Sequence, residues 1–454
     1  MVKPTIILAT DNGVGMGHLA RATAIAKALQ DRANPIIFSV AGAVAELPSA
    51  TGIPCEYIPG KTRGWITRNK WDKYFLDRLL ALADETGAKV IAFDGVTPYP
   101  GFILTKNSHS DLTTVWVRRG LWRKNRLRFA LPLQSAVIDH VIEPGDFASE
   151  YDHGPTAKRR DAFSTSPVTL YQESEALSRS EARKSLGLEL DSPAVLVQLG
   201  TGDNDMNSKL TAALEGLRDW EKLQIVLTKE PVDSNGASLI PKGMTVKVVR
   251  FFPLARALKA FDGAIAATGY NSAHELLPAQ VPTVFISNIR GTDMQELRAK
   301  WCSDHGYALS ADQSDLSAIT DTVRKLQDQN TRNALAEHCR ELPETNGAFE
   351  IADQLLKIAS STPTSNRFST RTLRSFIGFT LKSAIFIYRS IKPYKIKGVV
   401  GDESAILSDN TDVEFLRKHI KGNRRFEHLI QGASEDYKRR RLEIASDAYS
   451  GKLG

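Results

Sequence analysis

Short apolar runs alternate with segments of helical periodicity along this chain, in two successive series, and this alternation restricts the fold more tightly than any other feature. The first series predicts strands over 5–10, 35–40, 90–93, 114–117 and 136–142. The second restarts after the polar stretch YDHGPTAKRRDAFSTSP and predicts strands over 194–199, 223–228, 246–249, 263–267 and 283–286. Apolar strands joined through helices pair in parallel, so each series reads as a doubly wound α/β sheet. At 454 residues the chain is too long for one core. Two domains facing a cleft are expected, over 1–165 and 166–360, with a C-terminal extension over 361–454.

Charge and cysteine content narrow the class of protein. Residues 365–454 carry 18 Lys+Arg against 10 Asp+Glu, whereas residues 1–364 carry 41 against 42, so the net +7 belongs to the tail. A core without net charge disfavours nucleic acid as partner. The three cysteines, Cys55, Cys302 and Cys339, are far apart and form no metal or disulfide pattern. The opening KPTIILAT lacks the basic and then apolar profile of a secretory signal, and no segment has the length of a membrane span, so the cytoplasm is the expected compartment.

Doubly wound sheets bind ligands where strands end and helix N-termini point at the crevice. The loop NGVGMGHLAR occupies that position after the first strand. Its G-x-G-x-G spacing from Gly13 is not the dinucleotide pattern, and the second strand ends without an acid for a ribose, which disfavours a nicotinamide enzyme. A backbone nest remains, including Gly15 and Gly17, with His18 beside it and Arg21 one turn into the helix. A tight turn with a helix-capping histidine is the plain alternative, but a turn needs neither His18 nor Arg21. In the second series, 263–267 reads as a strand, 268–272 as a small-residue turn, and 273 onward as a helix starting near Glu275. Thr268, Gly269, Asn271 and Ser272 can donate to a diphosphate, and Glu275 can accept from two ribose hydroxyls. Asn288, Asp293 and Gln295 follow in a polar loop where an acid and an amide can grip sugar hydroxyls.

The order G-x-G-x-G-H, then G-x-N-S-x-x-E, then V-P-x-V-F-I and D-x-Q, resembles the GT-B glycosyltransferases, which pair two Rossmann-like domains across a cleft. It is most similar to glycosyltransferase family 28, which includes the peptidoglycan lipid-linked N-acetylglucosaminyltransferase and the diacylglycerol glycosyltransferases. The resemblance spans about residues 1–355, is strongest over 260–300, and leaves out the tail. It implies that the second domain holds the nucleotide sugar, with Thr268–Ser272 at the phosphates, Glu275 at the ribose, and Asp293 and Gln295 at the transferred sugar. It likewise implies Gly200, Thr201 and Gly202 approaching the phosphates and Phe252 near the base. Glu296 stands where the lipid-linked transferase has a second glutamine, so the sugar is left open. GHLAR is closer to nucleotide-sugar hydrolases of the pseudaminic acid pathway and to some uncharacterised glycosyltransferases, which keeps a hydrolase as an alternative beside a non-catalytic sugar-nucleotide-binding protein.

Inverting transfer from a UDP-sugar needs a base for the acceptor hydroxyl and stabilisation of the departing diphosphate, but no covalent intermediate, cofactor or metal. DND at 203–205 is read as a chance imitation of a metal-binding D-x-D. His18 is the candidate base, and Asp94, ending the strand VIAFDG, can orient its imidazole, act as the base itself, or only cap the next turn. WVRRGLWRKNRLRF, residues 116–129, mixes three aromatics with six basic residues and suits an anionic or lipid-linked acceptor at the cell envelope. Over 371–392 helical spacing collects Leu373, Phe376, Ile377 and Leu381 on one side and Arg371, Arg374, Lys382 and Arg389 on another. This pattern predicts an amphipathic helix lying on an anionic membrane, placing the protein peripherally on the inner face of the cell membrane; a helix packed across the domains would show the same stripe.

Overall fold

The computed structural model describes residues 3–11, 16–40, 50–58, 60, 68–123, 130–200, 204–228, 238–249, 251–361 and 371–391. In the first domain β1 (Thr5–Thr10), α1 (Gly17–Leu29), β2 (Asn34–Ser39), β3 (Cys55–Tyr57), α2 (Arg68–Thr86), β4 (Val90–Asp94), α3 (Pro100–Ser108), β5 (Thr113–Val117), α4 (Ala130–Ala136), β6 (His140–Glu143) and β7 (Phe163–Ser164) build one parallel sheet. Its order is β3-β2-β1-β4-β5-β6-β7. The second domain contributes α5 (Arg179–Leu186), β8 (Ala194–Gln198), α6 (Asn204–Glu215), β9 (Gln224–Leu227), β10 (Val246–Val248), β11 (Gly263–Ala266), α7 (Tyr270–Leu276), β12 (Thr283–Ile286), α8 (Gln295–Asp304), β13 (Leu309–Ala311), α9 (Leu316–Arg324) and α10 (Gln329–Cys339). Its sheet runs β10-β9-β8-β11-β12-β13, again parallel. Both sheets reverse direction once, between β1 and β4 and between β8 and β11, and a crevice opens at each reversal.

The central strands β1, β4 and β11 are buried on both faces, which explains why they read as continuous apolar runs rather than alternating ones. Three short strands, β3, β7 and β13, escape the sequence pattern because each has only two or three residues. The strand expected over 136–142 is divided: Ala136 ends α4, and β6 begins only at His140.

After α10 the chain crosses back. The helix α11 (Gly347–Ser360) starts at the Asn346 cap, whose side chain accepts from Ala348, and packs against α1 of the first domain. Here Gly347 N–H donates to the Pro167 carbonyl at 2.8 Å, and any Cβ at Gly347 would collide with the Ser166 carbonyl.

The helix α12 (Arg371–Ile391) corrects the expected membrane face. Ile377 is buried against Ile103 of α3 and Val137, with Leu373 and Leu381 packed on the same cluster. Arg374, expected among the lipid-facing cations, is only 7% exposed and donates from Nε to Asn107 Oδ1 at 2.7 Å. The reason is the alternative noted for any apolar stripe: protein covers this one. Phe376 and Phe379, 65% and 71% exposed, turn outward instead, and Arg371 is exposed. Side chains of Lys382 and Arg389 lie outside the described residues. No helix among the described residues is long and apolar enough to cross a membrane.

Candidate active site

The loop after β1 delivers His18 into the first turn of α1, and the adjacent strand β4 ends on Asp94, which stands in register with Thr10. The sheet thus brings together two residues 76 apart in sequence: His18 Nδ1 lies 2.6 Å from Asp94 Oδ1. Arg21 Nη2 also stands 2.9 Å from the same Nδ1; the tautomer with its proton on Nδ1 serves the carboxylate contact and has its lone pair on Nε2. Arg21 donates from Nε to Asp94 Oδ2 at 2.9 Å and from Nη2 to Oδ1 at 2.5 Å. All three side chains are buried. Burial raises the Asp94 pKa, but the Arg21 charge and the His18 and Arg21 hydrogen bonds outweigh it, and the carboxyl is held below its ordinary range. Gly17 opens α1, whereas Gly15 lies outside the described residues.

Across the crevice α7 begins at Tyr270 behind a Gly269 cap, so the helix starts earlier than the sequence suggested. Asn271 and Ser272 belong to its first turn, where short polar side chains are favoured, rather than to the preceding loop. Thr268 is buried, with Oγ1 3.2 Å from Ser287 Oγ. The half-buried Glu275 has no side-chain hydrogen bond among the described residues, and burial pushes its carboxyl up to about 8. Gly200, two residues after β8, has φ +81°, a conformation suited to glycine, with Arg290 and Asn288 facing it. Thr201 and Gly202 lie outside the described residues, and Phe252 is half-buried just before the short helix Leu254–Ala260. Gln295 Oε1 accepts from Asn288 N at 2.9 Å.

Asp293 is engaged within the protein. Its Oδ2 lies 3.3 Å from Arg119 of the first domain and its Oδ1 accepts from Arg298 at 3.2 Å. Arg298 also reaches Asp146 of the first domain at 2.7 Å and the Thr268 carbonyl at 2.7 Å. Burial raises the Asp293 pKa, yet the charges of Arg119 and Arg298 overcome this and bring it down to about 2. Beside this network burial takes His274 down to about 4, so the ring is neutral, with Nδ1 2.6 Å from the Tyr270 carbonyl and Nε2 accepting from Phe147 N. Sequence reasoning missed Asp146, Tyr270, His274 and Arg298; only the V-R-R and D-x-Q-E-L-R surroundings of Arg119 and Arg298 hinted at charge near the cleft.

The basic loop is corrected as well. Trp116, Arg118 and Trp122 are fully buried, Arg118 on Glu143 and Asp161, while Arg123 pairs with Glu296. Trp122 and Asp293 form an antiparallel bridge between the domains. Arg118 is thus spent inside the first domain, and Trp122 and Arg123 reach across to the second rather than face a polyanion; residues 124–129 lie outside the described residues. Five buried polar atoms near the seam lack a partner among the described residues: Asn271 Oδ1, Asn288 Oδ1, Glu296 Oε2, Arg119 Nε and Trp122 Nε1. Three acceptors and two donors suit a ligand rich in hydroxyl groups.

Two parallel doubly wound domains with crevices facing each other define the GT-B glycosyltransferase fold, and solved members superpose on most of the chain. Spinosyn Forosaminyltransferase SpnP matches with a TM-score of 0.56 at 14% identity, over 78% of this chain and 99% of its own. Phytolacca americana UGT2, complexed with UDP-2fluoro-glucose and pterostilbene, matches at 0.55 and 14% identity, over 79% and 99%. Acinetobacter baumannii MurG matches at 0.50 and 18% identity, over 78% and 99%. More specifically, residues 195–355 match the glycosyltransferase family 28 C-terminal domain, which bears out the resemblance read from the motifs. A UDP-N-acetylglucosamine--N-acetylmuramyl-(pentapeptide) pyrophosphoryl-undecaprenol N-acetylglucosamine transferase from Paenarthrobacter aurescens (strain TC1) is 28% identical over 193 residues, 41% of this chain. The match spans about half of that relative, 52%.

Proposed function

We propose that this chain is an inverting, metal-independent glycosyltransferase that moves a sugar from a UDP-sugar to a membrane-associated or cell-envelope acceptor. The observation that carries the reading is the buried His18–Asp94 pair opposite the N-terminus of α7. His18 Nε2 takes the proton of the acceptor hydroxyl while that oxygen attacks the anomeric carbon; the bond from this carbon to the diphosphate oxygen breaks, and the nucleoside diphosphate leaves as an anion. Asp94 keeps the proton on Nδ1 and stabilises the imidazolium.

In this reading Gly15 and Gly17 clear space for the donor. The diphosphate meets Gly200, Thr201 and Gly202 and the turn Thr268, Gly269, Asn271 and Ser272, the ribose meets Glu275, and the base lies near Phe252. Gln295 stands at the transferred sugar, beside an Asp293 whose carboxylate is taken up by Arg119 and Arg298. The family 28 match over the second domain and the UDP-N-acetylglucosamine in the relative's name support the UDP-sugar donor. The basic tail and exposed Phe376 and Phe379 support attachment to an anionic inner membrane surface.

The test is a panel of nucleotide sugars read by thermal shift, followed by turnover of the stabilising donor. UDP-sugars should raise Tm above other nucleotide sugars. Release of free sugar at full rate without acceptor would make the protein a hydrolase and overturn the reading.

A further inference from the structure

Arg21 takes no part in the bonds made and broken above, yet the two domains converge on it. It saturates the outer sides of the Asp94 carboxylate through Nε and Nη2, and its guanidinium carbon stands 5.0 Å over the Tyr270 ring. Tyr270 is the first residue of α7, the helix that carries Asn271, Ser272 and Glu275. Its ring is fixed from behind: the hydroxyl donates to the Gly145 carbonyl at 2.7 Å and accepts from Val168 N at 2.9 Å. A second thread joins the same elements, since Asn271 Nδ2 donates to the Gly17 carbonyl at 3.2 Å, one residue before His18.

We propose that Arg21 is a positioning residue that couples the donor helix α7 to the tautomer and orientation of His18. A carboxylate held on both oxygens cannot rotate, so Oδ1 stays 2.6 Å from Nδ1, while Arg21 Nη2, itself 2.9 Å from Nδ1, fixes the ring from a second side and leaves Nε2 as the nitrogen available to the acceptor. The Arg21 guanidinium in turn is seated on Tyr270, so a donor that orders α7 also orders the seat, and the base is aligned when the donor site is filled. The proposal rests on the assignment of His18 as base, and the experiment separates the two.

Imidazole nitrogen NMR of the 15N-histidine-labelled full chain, with His18 assigned from His18→Gln, reads the tautomer directly. The native protein should show His18 protonated on Nδ1, more uniformly with UDP present. Arg21→Gln and Tyr270→Leu should each raise the Nε2-protonated population, and Arg21→Lys should show a smaller change. With UDP-N-acetylglucosamine as donor probe and UDP release as readout, Arg21→Gln should lower kcat about 10- to 100-fold while the UDP Kd stays within about threefold. Added guanidinium should restore part of kcat, and Arg21→Gln should cost nothing further in a His18→Gln background. An unchanged tautomer in both Arg21→Gln and Tyr270→Leu, or losses that multiply with those of His18→Gln, would overturn the coupling. Full turnover by His18→Gln would instead remove the base assignment, whatever the tautomer spectra report about Arg21.

Discussion

Truncating a single imidazole separates chemistry from binding. His18→Ala should lower turnover by about 10²–10⁴-fold, because a positioned base contributes on that order, while UDP affinity stays unchanged. Full retained transfer activity would exclude His18 as the base. Glu275 carries a second prediction at this scale. Its carboxyl, pushed up to about 8 by burial, is largely protonated at neutral pH when no ligand is present. A ribose diol donates to the ionised form, so UDP binding should release a proton and tighten as pH rises from about 7 to about 8.5. Glu275→Gln should bind more weakly and flatten that dependence, as titration calorimetry in buffers of different ionisation enthalpy would report; a slope of opposite sign would exclude the ribose contact. The His18–Asp94 pair was legible in the sequence because each residue ends or follows a strand, and parallel strands deliver their ends to one edge. Tyr270 under Arg21 was not, since an aromatic beside a glycine turn has no pattern that names its stacking partner.

A single helix, α12, shows how periodicity can identify an element and still leave its neighbours undecided. Its apolar stripe was visible, but the choice between lipid and protein was settled by Ile103 and Val137, which complete a small apolar cluster around Ile377. Burying a few aliphatic side chains contributes only a few kcal/mol in all, at about 1.5–3 kcal/mol for each one fully buried. Ile377→Asp should therefore release α12 while leaving the two-domain body folded, seen as faster limited proteolysis near residues 362–370 with little change in Tm. The outward pair belongs to the same element. Replacing Phe376 and Phe379 by serine should reduce sedimentation with phosphatidylglycerol vesicles, and deletion of 365–454 should abolish it; unchanged binding by the deleted chain would place any membrane contact elsewhere.

Over the whole molecule, the closed arrangement of the domains depends on buried charge. Arg298 joins Asp146 of the first domain to Asp293 of the second, and Arg119 reaches Asp293 from the other side. Arg298→Ala would strand the buried Asp146 carboxylate and leave Asp293 with Arg119 alone, a change that costs about 3–5 kcal/mol, and denaturant unfolding should show a loss of that size. The pH dependence has a definite sign. Asp293 sits at about 2 against an ordinary 3.8, so its pairing stabilises the fold fully above about pH 4 and is lost as pH falls toward 2. A thermal scan across that window should show the native Tm falling, with a shallower fall in Arg119→Met, which starts from one pair fewer. The sequence by itself determined the two parallel sheets, their order along the chain and the crevice loops, because strand pattern, helix period and turn composition are local properties. Only the tertiary structure decided which polar groups close the cleft and which stay open to a ligand. Asp293 is committed to arginines while Asn271 Oδ1 and Asn288 Oδ1 are left without partners among the described residues, and Arg298 meets Asp146 across 152 residues. Such pairings arise from the packing of distant segments, and no local spacing encodes them.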